Sequence, residues 1–313
     1  MVKVGGIYMK NKHLLGYGAG VFISVAWGLS FISINEALTV FGPGSLAVVR
    51  FSIALIFLFA LYGYQTRFEK VKKEDYKWLI AAGAIGIGAY YLFENNGIKL
   101  TDPATASLLL GTIPMVTILV NVVMKKTVLT WLKCLSVLTS LIGIACVVGV
   151  GQESGSSTLI GIICILGAAI SWVVFSFLTH GIGEKYQNIT ITFYQTLFGT
   201  LCLAPCLVFE QNSWFAIDLP IVLHLLFLAI VCSAVGYYCY NFTIKTLGVN
   251  QASMFINLMP VVTVLVTTLL GNKMSALQWV GCGLIIASMF ILSKSEQSDV
   301  EIDCVTKDLI IES

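Results

Sequence analysis

The sequence predicts an all-α integral membrane protein whose ten transmembrane helices form two inverted five-helix repeats. Three observations lead there. Hydrophobic residues make up 58% of the 313 and charged residues only 11%, whereas a soluble domain carries about 25% charged residues. The apolar runs are ~20 residues long, the length of a membrane-crossing helix and twice that of a barrel strand. The second half of the chain also repeats the first at an offset of 145 to 146 residues.

Spans are predicted at residues 14–38, 45–64, 78–98, 104–124 and 128–150, then at 158–178, 189–209, 219–241, 249–270 and 276–292. The first run is too long for a signal-peptide core and lacks a small-residue cleavage site, so it counts as a helix. The connections carry Gly, Pro, Asp, Ser or clustered Lys and leave no room for a soluble domain. The expected organisation is a cytoplasmic N-terminus (1–13), repeat 1 (14–150), repeat 2 (158–292) and an acidic cytoplasmic tail (293–313). Six acids against two lysines make that tail read as solvated and disordered.

Lys and Arg set the orientation, because they are retained on the cytoplasmic side during insertion. With the N-terminus inside, fifteen of the eighteen fall inside, among them Lys10, Lys12, Lys70, Lys72, Lys73, Lys77, Lys125 and Lys126. Lys99 and Lys273 fall outside, and Arg50 lies within a span. Shifting the span count by one scrambles this asymmetry. A multi-pass plasma-membrane protein with both termini cytoplasmic is therefore expected. The nine cysteines lie almost entirely in apolar spans without ligand-like spacing, so packing is their expected role, and neither a metal nor a cofactor is.

The repetition is carried by particular residues. The run from Tyr91 through Glu94, Asn95 and Ile98 to Lys99 matches the run from Tyr237 through Tyr240, Asn241 and Ile244 to Lys245. Pro114 matches Pro260, Trp27 matches Trp172 and Arg50 matches Gln195. An odd number of spans per copy places the copies in opposite orientations. Inverted repeats are the construction of secondary transporters, with the binding site near the midplane between them. Pro114 and Pro260 fall near the middle of their spans, where proline frees a carbonyl, and are expected to kink both helices.

The chain resembles the EamA-type ten-helix group of the drug/metabolite transporter superfamily. The resemblance is carried by Ala26-Trp27-Gly28-Leu29-Ser30-Phe31, by Val49-Arg50-Phe51, and above all by the run from Glu94 to Leu109 followed by Ile113-Pro114, with its echo from Gln251 to Pro260. It covers residues 14–292. It implies export or exchange of small metabolites, amino acids or drugs. Where family members often show Tyr-Thr-Ser-Ala after the third helix, this chain has Leu100-Thr101-Asp102-Pro103-Ala104.

Ionisable groups in apolar spans are costly, about 2.5–3.5 kcal/mol each on the insertion scale, so their depth decides how they are read. Glu36 sits at the end of its helix, in reach of water. Arg50 lies roughly 7–8 Å deep and Glu94 near 6 Å, at 1.5 Å per residue. Glu94 shares a polar run with Asn95 and Asn96 that suits a cavity wall better than lipid. The expected substrate- or proton-binding set is Glu94, Arg50, Asn95, Tyr91, Trp27 and Ser30 from repeat 1, with Trp172, Gln195, Tyr237, Tyr240 and Asn241 from repeat 2. Tyr90 is a further candidate for the pathway wall. A polar, partly aromatic cavity is expected between helices one, three, four, six, eight and nine. The bland reading of each is packing, an interface belt or helix-to-helix hydrogen bonding.

No phosphate-cradling Gly-Lys-Ser loop and no nucleophile with base and orienter can be assembled, so no catalytic residue and no nucleotide-driven pump is expected. The remaining readings are a secondary transporter of a small molecule and, as the alternative, a non-transporting membrane scaffold or membrane-embedded enzyme. The expected partners are the substrate and the bilayer, with no nucleic acid; a homodimer is compatible with this surface.

Overall fold

In the computed structural model, which describes residues 2–101, 109–124, 128–148, 158–269 and 275–311, ten helical stretches follow one another with no strand among the described residues. Repeat 1 comprises α1 (Val2–Ala37), α2 (Pro43–Thr66), α3 (76–100), α4 (Ile113–Val123) and α5 (Trp131–Val148). Repeat 2 comprises α6 (Leu159–Ile182), α7 (Asn188–Leu203), α8 (219–247), α9 (249–269) and α10 (Ala276–Ile311). Six of these (α1, α2, α6, α7 with its continuation to Phe209, α8 and α10) are long and apolar enough to cross a bilayer by length and composition. α6, with 24 residues, reaches roughly 36 Å against a hydrocarbon core of about 30 Å. α3 fails that criterion because of Lys77, Glu94, Asn95, Asn96 and Lys99. The opening of the fourth predicted span, 104–108, lies outside the described residues.

Three features differ from expectation. α3 and α8 each change winding midway: α3 runs Tyr76–Gly83, then a π-helical stretch Ala84–Ala89, then Tyr90–Leu100, and α8 runs Leu219–Leu226, then π-helical Phe227–Val235, then Gly236–Leu247. The two stretches end at repeat-equivalent residues, 89 and 235. The prolines open helices instead of bending continuous ones. Pro114 is the second residue of α4, after a turn at 111–112, and Pro260 is the second residue of Met259–Leu269. That segment is the last part of α9, after Val249–Met254 and a 3-10 stretch Phe255–Leu258. Proline suits this place because a helix's first N–H groups have no partner within the helix. Finally, α10 continues to Ile311 and α1 begins at Val2, where composition predicts solvated ends; acids and lysines at 294–308 are compatible with a helical backbone.

The halves interlock as a two-fold pair. α1 packs on the last segment of α8 and α6 on the last segment of α3, α2 packs on α7, and α5 packs on α10. Repeat-equivalent glycines permit the first two contacts. A Cβ on Gly161 would lie 2.8 Å from the Leu100 carbonyl oxygen, and one on Gly16 would run into Thr246 and Leu247.

The ends of α2 and α7 are capped across the repeats. Glu210, just after α7, accepts from the backbone N–H of Gly44 (3.0 Å) and Ser45 (2.7 Å) at the start of α2. Glu69, just after α2, accepts from the N–H of Gln187 (3.1 Å) and the hydroxyl of Thr190 (2.6 Å) at the start of α7. Each carboxylate meets the positive end of a helix dipole. Beside Glu69, Lys185 donates to Asp75 at 2.6 Å and Tyr186 donates to its other oxygen at 2.8 Å.

Glu210→Ala is expected to cost about 1–2 kcal/mol and to lower the unfolding midpoint of the detergent-solubilised protein by roughly 2–6 °C. Glu69→Ala should do the same, because it caps the equivalent helix. Asp75 titrates below its ordinary value because Lys185 and then Tyr186 hydrogen-bond its charged form. Its contribution is therefore present above the unfolded-state value near 3.8 and is lost as pH falls through the lower folded value. The gap in midpoint between wild type and Asp75→Asn should be open at pH 7 and close on acidification into that range.

Candidate functional site

The site is built where the first helices of the two repeats meet. Trp27 of α1 and Trp172 of α6, equivalent positions, stand edge to face with centroids 5.3 Å apart at 87°. Tyr90 closes on Trp172 at 4.8 Å and Tyr240 on Trp172 at 4.9 Å. Such aromatic pairs contribute about 0.5–1.5 kcal/mol each beyond burial.

A cavity lies against this box. Its walls are Trp27, Ser30 and Ile34 of α1, Arg50 of α2, Tyr90, Tyr91 and Glu94 of α3, Leu110 and Gly111 ahead of α4, Ile144 of α5, Trp172 of α6, and Ile256, Asn257, Met259 and Pro260 of α9. The volume open to the centres of water-sized molecules is ≈ 50 Å³, room for roughly three or four waters and too little for a metabolite. The sequence-based boundary needs one correction: α2 and α5 line the cavity and α8 does not. The reason is the aromatic box, which fills the space in front of α8.

Two opposite charges line this cavity without pairing. Arg50 is 2% exposed and Glu94 6%, and they form no ion pair within 4.0 Å. The Arg50 Nε donates to Ser233 Oγ on α8 at 2.8 Å, and its guanidinium lies 5.0 Å from the Tyr91 ring centroid and 5.4 Å from that of Phe51. A desolvated cation over aromatic faces gains about 2 kcal/mol. Glu94 Oε1 accepts from the Tyr90 hydroxyl at 2.7 Å, one helical turn away. The remaining guanidinium nitrogens and the second carboxylate oxygen have no hydrogen bond among the described residues. A charged pair held apart in this way can each engage a complementary group on one bound molecule.

The other expected residues stand behind this lining and are hydrogen-bonded within the protein, although Asn95 Oδ1 and Asn241 Oδ1 are buried without a donor. Asn95 and Asn241, both buried, are repeat-equivalent in role as well as position. Asn95 donates to the Pro43 carbonyl on α2 at 2.7 Å, and Asn241 donates to Thr192 and Gln195 on α7, each at 2.9 Å. Gln195 in turn donates to Thr179 at 2.8 Å. The Tyr240 hydroxyl accepts from Trp172 Nε1 at 2.8 Å and shares a hydrogen bond with Ser176 at 2.9 Å. Glu36 is exposed at the end of α1.

The π-helical stretches are capped reciprocally. The Tyr237 hydroxyl donates to the Gly86 carbonyl at 3.1 Å, and Trp27 Nε1 donates to the Cys232 carbonyl at 2.9 Å. Residues 86 and 232 are separated by the repeat offset of 146, so equivalent carbonyls are satisfied by aromatic donors from opposite halves. Sequence reasoning does not single out Ser233 or Asn257. Asn257 had a signal, a polar side chain three residues before Pro260 with only apolar neighbours over 254–262. Ser233 had none, since its partner Arg50 is remote in sequence.

Among described residues, no group of three or more His, Cys, Asp or Glu could hold a metal ion. The family model described as the EamA-like transporter family matches twice, over residues 14–149 and 159–294. An uncharacterized transporter of Bacillus subtilis, YyaM, is 24% identical over 90% of this chain and 94% of its own. A protein of Streptantibioticus cattleyicolor described as a probable terminal-alkyne amino-acid exporter is 24% identical over 88% of this chain and 92% of its own. A solved crystal structure, 17% identical, superposes with a TM-score of 0.72 over 90% of this chain and 96% of that one, which is a likeness of fold.

Tyr237→Phe should remove a donor from the Gly86 carbonyl at a cost of about 1 kcal/mol. Hydrogen exchange of the backbone amides over residues 84–91 should accelerate, while exchange in α5 and α10 stays as in wild type.

Proposed function

Because the chain belongs to the EamA-like transporter family and is a multi-pass membrane transporter, we propose that it is a secondary transporter of a small zwitterionic metabolite, working by alternating access between its inverted repeats. The observation that carries this reading is the cavity at the seam, where Arg50 and Glu94 are buried, unpaired and only partly hydrogen-bonded. Unpaired buried charges are expensive. A molecule carrying an anionic and a cationic group would satisfy both at once, and its apolar remainder would meet Trp27, Trp172 and Tyr91. A relative described as an amino-acid exporter agrees with that chemistry. In the cell this reading places the protein in the plasma membrane with both termini cytoplasmic, exporting or exchanging its substrate.

The small cavity volume supports alternating access, because a metabolite needs about 300 Å³ or more and admission then requires the halves to part. The seam is suited to this: α4 and α9 are interrupted beside the cavity, and α3 and α8 change winding at equivalent points. Glu94 is assigned either to hold the substrate's cationic group or to carry the coupling proton.

Counterflow of each of the twenty radiolabelled L-amino acids in proteoliposomes tests the substrate class, and exchange of at least one is expected. The des-amino and decarboxylated analogues of that amino acid should compete at least about tenfold less well, since each leaves a buried charge unanswered. Exchange of none would reject the class. Glu94→Gln separates the two roles. If Glu94 carries the proton, pH-gradient-driven uptake disappears while counterflow persists; if it holds the substrate, both are lost. Transport by the variant like that of wild type under every gradient would remove Glu94 from the site.

A further inference from the structure

The cavity contains one more polar group whose hydrogen bonding is incomplete. Asn257 lies in the 3-10 stretch Phe255–Leu258, is 1% exposed, and lines the cavity on the α9 side. Its Nδ2 donates to Ser140 Oγ of α5 at 2.6 Å, which fixes the amide in place. Its Oδ1 is buried without a protein donor, as are Asn95 Oδ1, Thr196 Oγ1 and Asn241 Oδ1, but of these four residues Asn257 alone lines the cavity. Tethering α9 to α5 explains the nitrogen end of this side chain but not the oxygen end, because an acceptor left unsatisfied in a low-dielectric interior is destabilising.

The repeat supplies a comparison within the same molecule. The position equivalent to Asn257 is Gly111, at the same offset of 146, at the corresponding interruption before a proline, and lining the same cavity. The interrupted-helix architecture is therefore achieved in repeat 1 with no side chain there at all. The amide is an addition peculiar to one half. The charged groups, by contrast, belong to repeat 1: the positions equivalent to Arg50 and Glu94 are Gln195 and Tyr240, which stand behind the lining. Of the repeat 2 residues on the cavity wall, Trp172 has its N–H committed to Tyr240, and Ile256, Met259 and Pro260 have no polar side-chain group for a ligand's N–H. Asn257 is what repeat 2 contributes to hydrogen-bonding a bound molecule.

We propose that Asn257 Oδ1 is a specificity-determining acceptor for the substrate, taking one N–H of its cationic group, so that the substrate is held by Arg50 and Glu94 of one repeat and by Asn257 of the other. The proposal rests on the zwitterionic reading above and deepens it. A substrate held from both walls stabilises the closed arrangement of the halves, whereas one held by repeat 1 alone would not favour closure. The neutral acceptor also discriminates against molecules lacking the N–H, since binding them leaves the same oxygen unsatisfied.

The test uses the full-length protein in proteoliposomes, with the L-amino acid that exchanges fastest as the labelled probe and its des-amino acid as competitor. The quantity read is the ratio of the two inhibition constants. In Asn257→Leu, which matches the volume without an acceptor, the ratio should fall by about tenfold or more. In Asn257→Asp, which keeps an acceptor, it should stay at or above the wild-type value. Ser140→Ala removes only the tether and should leave the ratio within about threefold of wild type. A ratio unchanged in Asn257→Leu would overturn the proposal even if overall transport falls, because a purely structural role lowers the active fraction without altering discrimination. An Asn257→Leu protein that fails to insert leaves the decision to Asn257→Thr and Asn257→Val, which differ by a hydroxyl alone; equal ratios in these two would overturn it. If wild type exchanges none of the twenty amino acids, the substrate class is rejected and this assignment with it.

Discussion

The structure depends on one constraint: in a bilayer the backbone must find its hydrogen-bond partners within the protein. An unbroken helix meets that constraint alone. This chain interrupts or rewinds four of its helices, α3, α4, α8 and α9, and so creates carbonyls that the helix itself no longer serves in the usual way. At the π-helical stretches the partners come from the opposite repeat, Tyr237 for Gly86 and Trp27 for Cys232. The irregular backbone is tolerated because donors within the protein reach its carbonyls, and the two halves hold each other's irregularities in place.

That arrangement divides the seam into two kinds of contact. Toward the ends of α2 and α7, carboxylates and backbone N–H groups join the repeats through charge-assisted hydrogen bonds, which are directional and strong. Around the cavity the contacts are aromatic edges and single hydroxyls, which tolerate rotation and sliding better. The halves are thus joined firmly along one pair of helices and more loosely around the site.

Much of the architecture was legible in the sequence because hydropathy and repetition report physical necessities. Ten apolar runs with an odd count per copy fix an inverted pair, and the 145-residue match of Trp27 with Trp172 identifies two rings that touch in the fold. The π-helical stretches were not legible, since one wider turn leaves both composition and length unchanged. The sequence grouped Tyr237, Tyr240 and Gln195 with the site because they match Tyr91, Glu94 and Arg50, which line it, but repetition preserves position in the helix and not what the side chain faces. In repeat 2 those positions became the packing behind the wall. Asn257 escaped for the converse reason: its counterpart is a glycine, so the repeat offers no echo.

The reciprocal capping of α2 and α7 also bears on how the chain is made. When the ribosome has finished α2, the N–H groups of Gly44 and Ser45 have no carboxylate to meet, for Glu210 lies more than 160 residues farther along. The start of α2 must remain in contact with water, or with the insertion machinery, until α7 has been delivered. Nor can the first five helices, released alone, complete their own second helix. Each copy of the unit thus supplies the other with a helix cap that it does not supply to itself.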